Sequence, residues 1–316
     1  MTCPEILCVG MVVVDVLVEG VSTMPRPGET GTVAGVSMAT GGDAINEAVA
    51  LAKLGNRVGL MGLIGGDAQG QIILENCARH RIGTEGLIVD PGRATSTGIV
   101  LIETGGERSF LCKQHSTYTQ FGPGHIDLDN LRPGLRALSV GSLFCMPQFD
   151  REALAPLLRK AKSVGAITLA DLVMDERGYG LDALNDAWPY LDYVVPSELE
   201  AEIFTGSRDP ETIAATFRAR GVQNVILKRG VQGVLAFTRA GNFACPAFDV
   251  PVADTTGAGD NFVAGLIHGL VRGFDTDRAL RFGSAVAALS VQAVGAGAGL
   301  KDLAQVEEFL AEASRA

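Results

Sequence analysis

Short apolar runs recur along this chain and alternate with stretches of helical periodicity. The runs are 6–14 (ILCVGMVVV), 58–64, 138–143, 167–169, 193–195 and 225–227. Continuous rather than alternating hydrophobicity suits strands buried on both faces. Between them, 43–54 sets Ile45, Ala48, Val49 and Ala52 along one helical face and stops at Gly55. Segments 71–81, 152–163 and 211–220 repeat the pattern. Strand and helix in turn predict an α/β fold, a three-layer α/β/α sandwich around a mostly parallel sheet.

One region breaks the rhythm. Segment 16–39 has few helix formers and reads as extended or looping. Further on, 98–103 (GIVLIE) and 109–112 flank the turn Gly105-Gly106-Glu107, which predicts a hairpin. These pieces predict a small β-sheet lid, built from segments roughly 12–39 and 97–115 and inserted into a single domain over 1–316. Its apolar residues Val14, Val16, Val18, Ile99, Leu101 and Phe110 are expected on an exposed sheet.

With 47% hydrophobic and 20% charged residues, the 316-residue chain has ample material for a core. A net charge of −10 argues against nucleic acid and anionic membrane as partners. It leaves room for a small anion, because local backbone dipoles act at shorter range. The cysteines, Cys3, Cys8, Cys77, Cys112, Cys145 and Cys245, form no CxxC pair. They are expected to be buried free thiols in a reducing compartment. The opening residues lack a signal-peptide pattern and no apolar run is long enough for a bilayer, so a cytoplasmic protein is expected.

Two glycine-rich segments open helices. In DTTGAGDN, 254–261, the residues Ala258, Phe262, Val263, Leu266, Ile267 and Leu270 follow at helical spacing. A helix is therefore expected to start near Gly257, with Gly257-Ala258-Gly259 as its first turn. First-turn N–H groups lack intrahelical partners, and without bulky side chains an anion can approach them. Asp260 sits in the same turn, where the dipole would keep it ionised as a weak base. That pairing suits phosphoryl transfer to an alcohol, whose loose transition state needs positioning and late proton removal. An acidic residue in a first turn is also what a plain helix start carries. The second segment is GGDAIN, 41–46. Asp43 is expected to cap its helix, and Asn46, one turn in, to face the same cavity. With Asp15 after the first strand, these groups could hydrogen-bond the hydroxyls of a sugar.

GGDAINEA and DTTGAGDNFVAGL resemble the two signatures of the ribokinase-like (PfkB) carbohydrate kinase family. The resemblance runs along the whole chain in order. RPGET at 26–30 resembles the turn near the family's lid, and LIGGDAQG at 63–70 its glycine–aspartate turn. VILKRGVQG at 225–233 resembles the strand and turn under the nucleotide, and VGAGAG at 294–299 the loop closing the nucleotide pocket.

The resemblance implies a ribokinase-like fold and ATP-dependent phosphorylation of a sugar hydroxyl. Asp260 would be the base, and Gly257, Ala258 and Gly259 the anion hole. Asp15, Gly41, Gly42, Asp43 and Asn46 would face the sugar. Ser197, Lys228, Gly230, Gly233 and Ser284 would serve the nucleotide. Glu200 would act on Mg2+ through water, and Asp254 with carbonyls near Gly295 would hold a monovalent cation, K+. A homodimer paired through the lids is also implied. The chain departs from the family's pattern in places. Ser197 stands where the Asn of Asn-x-x-Glu is expected, and Lys228 where many relatives carry threonine. Asp43 replaces the lysine of ribokinase proper, and Gly299 offers the cation loop no side chain.

Other readings stay open. A nucleoside kinase of the same family fits the motifs, although one tryptophan and four tyrosines give few stacking platforms. A non-catalytic sugar-binding regulatory relative would be expected to lose Asp260 or the glycines, which are present. A nicotinamide-dependent dehydrogenase would need GxGxxG after the first strand, but Met11-Val12-Val13-Val14 follows Gly10.

Overall fold

A computed structural model describes residues 4–104, 107–113 and 115–314, with the side chain of residue 108 excepted. Cys3 and the Gly105-Gly106 turn lie outside the described residues. Along the chain run β1 (Ile6–Gly10), β2 (Val13–Val21), β3 (Gly35–Gly41), α1 (Asp43–Lys53), β4 (Val58–Gly65), α2 (Ala68–His80) and β5 (Gly83–Asp90). Then come β6 (Thr97–Glu103), β7 (Arg108–Cys112), α3 (Thr117–Gln120), β8 (Ala137–Leu143), α4 (Leu154–Ser163) and β9 (Ile167–Leu172). The remainder is β10 (Tyr193–Val194), α5 (Glu198–Thr205), α6 (Pro210–Ala219), β11 (Asn224–Lys228), β12 (Val234–Thr238), β13 (Gly241–Cys245), α7 (Ala258–Val271), α8 (Thr276–Ser290) and α9 (Leu303–Ala313).

Among the described residues the large sheet has nine strands in the order β13-β12-β11-β10-β9-β8-β1-β4-β5. Pairing is parallel from β5 across to β11, and β12 and β13 add an antiparallel edge. Alternate residues feed two cores. Ile6 and Cys8 face one with Ile45, Val263 and Val286 of α1, α7 and α8, while Leu7 and Val9 face the other with Leu157 and Phe217 of α4 and α6. Burial on both faces is why the central strands read as unbroken apolar runs. The edge strands β5 and β13 are half-exposed, so their polar alternation gave no such run.

The 6–14 run is two strands in two sheets. Gly10 ends β1 at φ 152°, and a Cβ there would collide with the Gly141 carbonyl oxygen. The chain turns at Met11 and Val12, and Val13 opens the second sheet, ordered β3-β2-β6-β7. Helix starts also move from their expected places. Asp67 caps α2 by accepting from Gly70 N–H, a π-turn over Phe149–Ala153 precedes α4, and Asp209 caps α6 ahead of Pro210.

The small sheet has two different faces. Val16 is flanked by Met38 and Ile99, and Val18 by Val36 and Leu101. This outer face is apolar and open, with Val36 65% and Met38 56% exposed. Two expected members leave it: Val14 is fully buried, and Phe110 pairs with Val100 on the inner face that also carries Asp15. The thiols divide too. Cys8, Cys77 and Cys245 are buried, but Cys145 is half-buried and Cys112 is exposed, because it ends an outer strand. No described helix is long and apolar enough to cross a membrane.

Gly10→Ala is expected to cost about 2–5 kcal/mol, from overpacking and a strained φ together. Gly55→Ala, also at positive φ but facing open space, should cost only about 1–2 kcal/mol. Urea unfolding of both variants checks the difference, and equal costs would refute this account of the β1 turn.

Candidate active site

The strands of the large sheet end, at their carboxyl edge, beneath the small sheet, and there the two glycine-rich segments meet. Gly257 is the N-cap of α7 in a left-handed conformation, φ 71°, and the helix proper starts one residue later than expected, at Ala258. Asp254 shapes the approach. Its carboxylate accepts from Thr256 N–H at 2.9 Å, from the Thr256 hydroxyl at 2.8 Å and from Gly295 N–H at 2.8 Å. The predicted pair Asp254 and Gly295 is thus in direct contact. Ala258 N–H turns back to the Thr255 carbonyl, so Gly259 and Asp260 supply the first-turn N–H groups left for a ligand.

Asp260 is only 8% exposed, and Asn46 Nδ2 donates to its Oδ2 at 2.7 Å. Burial, reinforced by the nearby Asp43 carboxyl, pushes its pKa up to about 8, against the Asn46 hydrogen bond. Burial thus works against the expectation that the helix dipole keeps it ionised, because it favours the neutral carboxyl. A carboxyl poised near neutrality is also a stronger proton acceptor once deprotonated.

α1 begins at Gly42, φ 96°, where any Cβ would strike the Met11 carbonyl oxygen. Asp43 is not the N-cap. It is the first helical residue, and its Oδ2 accepts from the Ser142 hydroxyl at 2.7 Å. Burial raises its pKa, and that hydrogen bond works the other way. Asp15 lies across the inner face of the small sheet. Its carboxylate fills the place of a side chain at Gly41 and comes within 2.7 Å of where one would start at Gly98. Gly41 thus makes room for Asp15 rather than facing a ligand itself. Burial lifts Asp15 to about 6. Gly98 was missed in the sequence, and its signal was a glycine inside a strand pattern.

Lys228, at the end of β11, is no solvated strand end. Its Nζ lies 3.1 Å from where a Gly259 side chain would begin, and it donates to Asp171 at the end of β9. Burial disfavours its charge, but Asp171 and Glu200 together hold its pKa above the ordinary lysine value. Asp171 escaped the sequence reading. Its signal was a carboxylate at the carboxyl end of a parallel strand, where α/β sheets place their ligands.

Ser197 and Glu200 form a capping box on α5. Ser197 N–H donates to Glu200 Oε2 at 2.7 Å, and Glu200 N–H donates to Ser197 Oγ at 3.3 Å. Ser197 is thus committed first to its own helix, as S-x-x-E could have signalled.

Two cavities open here. One, of about 520 Å³, is lined by Asp15, Gly42, Asp43, Asn46, Asp260, Ser197 and Glu200, with Phe110 and Cys112 of the small sheet above. The other, of about 590 Å³, is lined by Gly230, Gly233, Ser284 and the apolar side chains of Val234, Phe248, Phe262 and Val291. They share Lys228, Gly230, Thr255, Ala258 and Gly259. A chamber carrying several acids and an amide and a more apolar one therefore meet at a helix N-terminus with a lysine and a buried carboxyl. Such a junction suits moving a charged group between two ligands.

The chain matches the family model of the pfkB family carbohydrate kinases over residues 4–303. A ribokinase of Haemophilus influenzae is 27% identical over 299 residues, covering 91% of this chain and 92% of that protein. A 5-dehydro-2-deoxygluconokinase of Geobacillus kaustophilus is 27% identical over 284 residues, 85% and 84% of the two chains. A solved ribokinase of Thermotoga maritima, 27% identical, superposes with a TM-score of 0.82 over 98% of this chain and 99% of that one.

Asn46 stabilises the ionised form of Asp260, so Asn46→Ala should move the Asp260 titration to still higher pH. Carbon-detected NMR of the Asp260 carboxyl follows it directly. A titration that stays put or moves down would show that Asn46 does not support the charge.

Proposed function

The chain belongs to the pfkB family of carbohydrate kinases, and we propose that its site transfers the γ-phosphoryl group of ATP to a hydroxyl of a sugar or sugar derivative. The observation that carries this reading is Asp260, a buried carboxyl that lines one cavity next to Ala258 and Gly259, which that cavity shares with the other. The sugar occupies the cavity that carries Asp15, Asp43, Asn46 and Asp260, with the small sheet as its lid. Asp15, Asp43 and Asn46 bond its hydroxyls. The nucleotide occupies the apolar cavity. Gly230 and Gly233 let it approach the backbone, and Ser284 offers a polar group within apolar walls.

The reacting hydroxyl then faces Asp260, held by Asn46, and the γ-phosphate faces the start of α7 at Gly257-Ala258-Gly259, where the Gly259 and Asp260 N–H groups are open while Ala258 N–H is taken by the Thr255 carbonyl. Because the transition state is loose, the chain's work is alignment and charge neutralisation. First-turn N–H groups and the Lys228 ammonium stabilise charge on the transferring group, and Asp260 takes the proton as the new bond forms.

Among the described residues there is no cluster of three or more acidic, His or Cys groups fit to cage a metal. In this reading Mg2+ would arrive on ATP and keep phosphate oxygens and waters, with Glu200 holding one of those waters. Mg2+ would neutralise phosphate charge there. For a monovalent cation such as K+, the candidate holders are Asp254 and the main chain near Gly295. Asn261 Oδ1, buried without a hydrogen-bond partner, lies 3.0 Å from where a Gly297 side chain would start and adds an acceptor there.

We also place the protein in the cytoplasm, where ATP is available, as a homodimer. The outer face of the lid is apolar and two-edged, which suits pairing with a second copy. Light scattering should give a dimer at micromolar concentration, and Met38→Lys with Ile99→Lys should give a monomer. A wild type that is monomeric throughout would exclude the lid interface.

Asp260→Asn should lower kcat by ~10²–10⁴, the usual loss of a positioned base, in an ADP-release assay over sugars and nucleosides. The same substitution should raise thermal stability. The Asp260 pKa is about 8 folded but about 4 unfolded, so between those values the folded state binds more protons. Wild-type stability therefore falls as pH rises through that window, and the asparagine variant lacks that fall. The gain in Tm should grow from pH 5 to 8. Near-normal turnover would remove Asp260 from the chemistry, and a pH-independent Tm difference would contradict its raised pKa.

A further inference from the structure

Helix α1 reaches the site with its first turn and the chain behind the site with its last. At its end, Lys53 Nζ donates to the carbonyls of Gly297 at 2.9 Å and Leu300 at 2.8 Å. No described carboxylate forms an ion pair with this half-buried ammonium. A charge kept partly out of water needs a polar partner, and here main-chain carbonyls are that partner.

The segment it holds, 294–300, turns on glycines: Gly295 and Gly297 sit at φ 111° and 72°, and Gly299 has no room for a side chain beside the Leu289 carbonyl. This loop is the wall behind the anion hole. Ala296 Cβ lies 3.0 Å from where a Gly257 side chain would begin. Asn261, whose Nδ2 donates to the Gly257 carbonyl at 2.7 Å, lies equally close to Gly297. The front of the loop is fixed by Asp254 through Gly295 N–H, and Gln305 holds the Gly299 carbonyl. Lys53 fixes the stretch between and ties it to the helix that carries Asn46.

We infer that Lys53 is a positioning residue for phosphoryl transfer: its ammonium holds the 294–300 loop against Gly257, and so sets the anion hole relative to the α1 groups that bind the sugar. This rests on the kinase reading above. Burial lowers the Lys53 pKa, as expected where carbonyls rather than a carboxylate receive the charge.

The test compares wild type, Lys53→Met and Lys53→Arg. Calorimetry with Mg·ADP and with the non-hydrolysable Mg·AMP-PNP, without sugar, isolates the γ-phosphate contact. Lys53→Met should lose about tenfold in AMP-PNP affinity with ADP affinity nearly kept, and kcat should fall ~10–10²-fold with sugar KM within about twofold, the scale of a small misplacement. Lys53→Arg should restore most of both. If Lys53→Met does not fold, Lys53→Gln, which keeps a donor without charge, takes its place. Wild-type AMP-PNP affinity and kcat in the neutral variant would overturn the assignment, and so would equal losses for ADP, AMP-PNP and sugar, which mark general loosening. A wild type that binds neither nucleotide would overturn the kinase reading and this inference with it.

Discussion

The contact on which the rest depends is the hydrogen bond from Asn46 to Asp260. It joins residues 214 positions apart and makes two helix starts into one site. Burying a carboxyl is costly, and its neighbours here include Asp43 and Asp171 as well as Lys228. A fold that gathers so many acids under one sheet edge gives up stability there. Such concessions are characteristic of functional sites, where the local optimum for folding is set aside.

Much of the architecture could be read in the sequence for a physical reason. Strands covered by helices on both faces must be apolar throughout, so β4, β8, β9 and β11 announced themselves. Edge strands carry no such requirement, and β5 and β13 went unread; β12, a mostly buried strand between β11 and β13, was missed as well. The boundary at Gly10 was hidden because both sides of it are apolar: Val9 and Val13 look alike in sequence and belong to different sheets. Only the encounter with Gly141, 131 residues away in the chain, separates them.

The same contrast holds at the site. Glycine-rich helix starts are local features, so Gly42, Asn46, Gly257 and Asp260 stood out. What the sequence withheld were relations between distant segments: Asn46 on Asp260, Asp171 on Lys228, Asp15 lodged between Gly41 and Gly98. The burial of Asp260 went unread for that reason. A dipole argument needs only the helix, whereas desolvation is set by everything packed around it.

The seat of Asp15 has a further consequence. Its carboxylate occupies room left by Gly98, directly beside it on β6, and by Gly41, diagonal to it on β3. Sliding β6 by one position would set Thr97 or Ile99 beside Asp15 and turn the strand's side chains over. Strand alignment and the seating of Asp15 are thus a single property in this small sheet: misaligned pairing displaces the carboxylate and is penalised by the same steric clash. Because the Met11 carbonyl abuts Gly42, the root of the small sheet and the first turn of α1 leave each other no room, so the placement of one fixes that of the other.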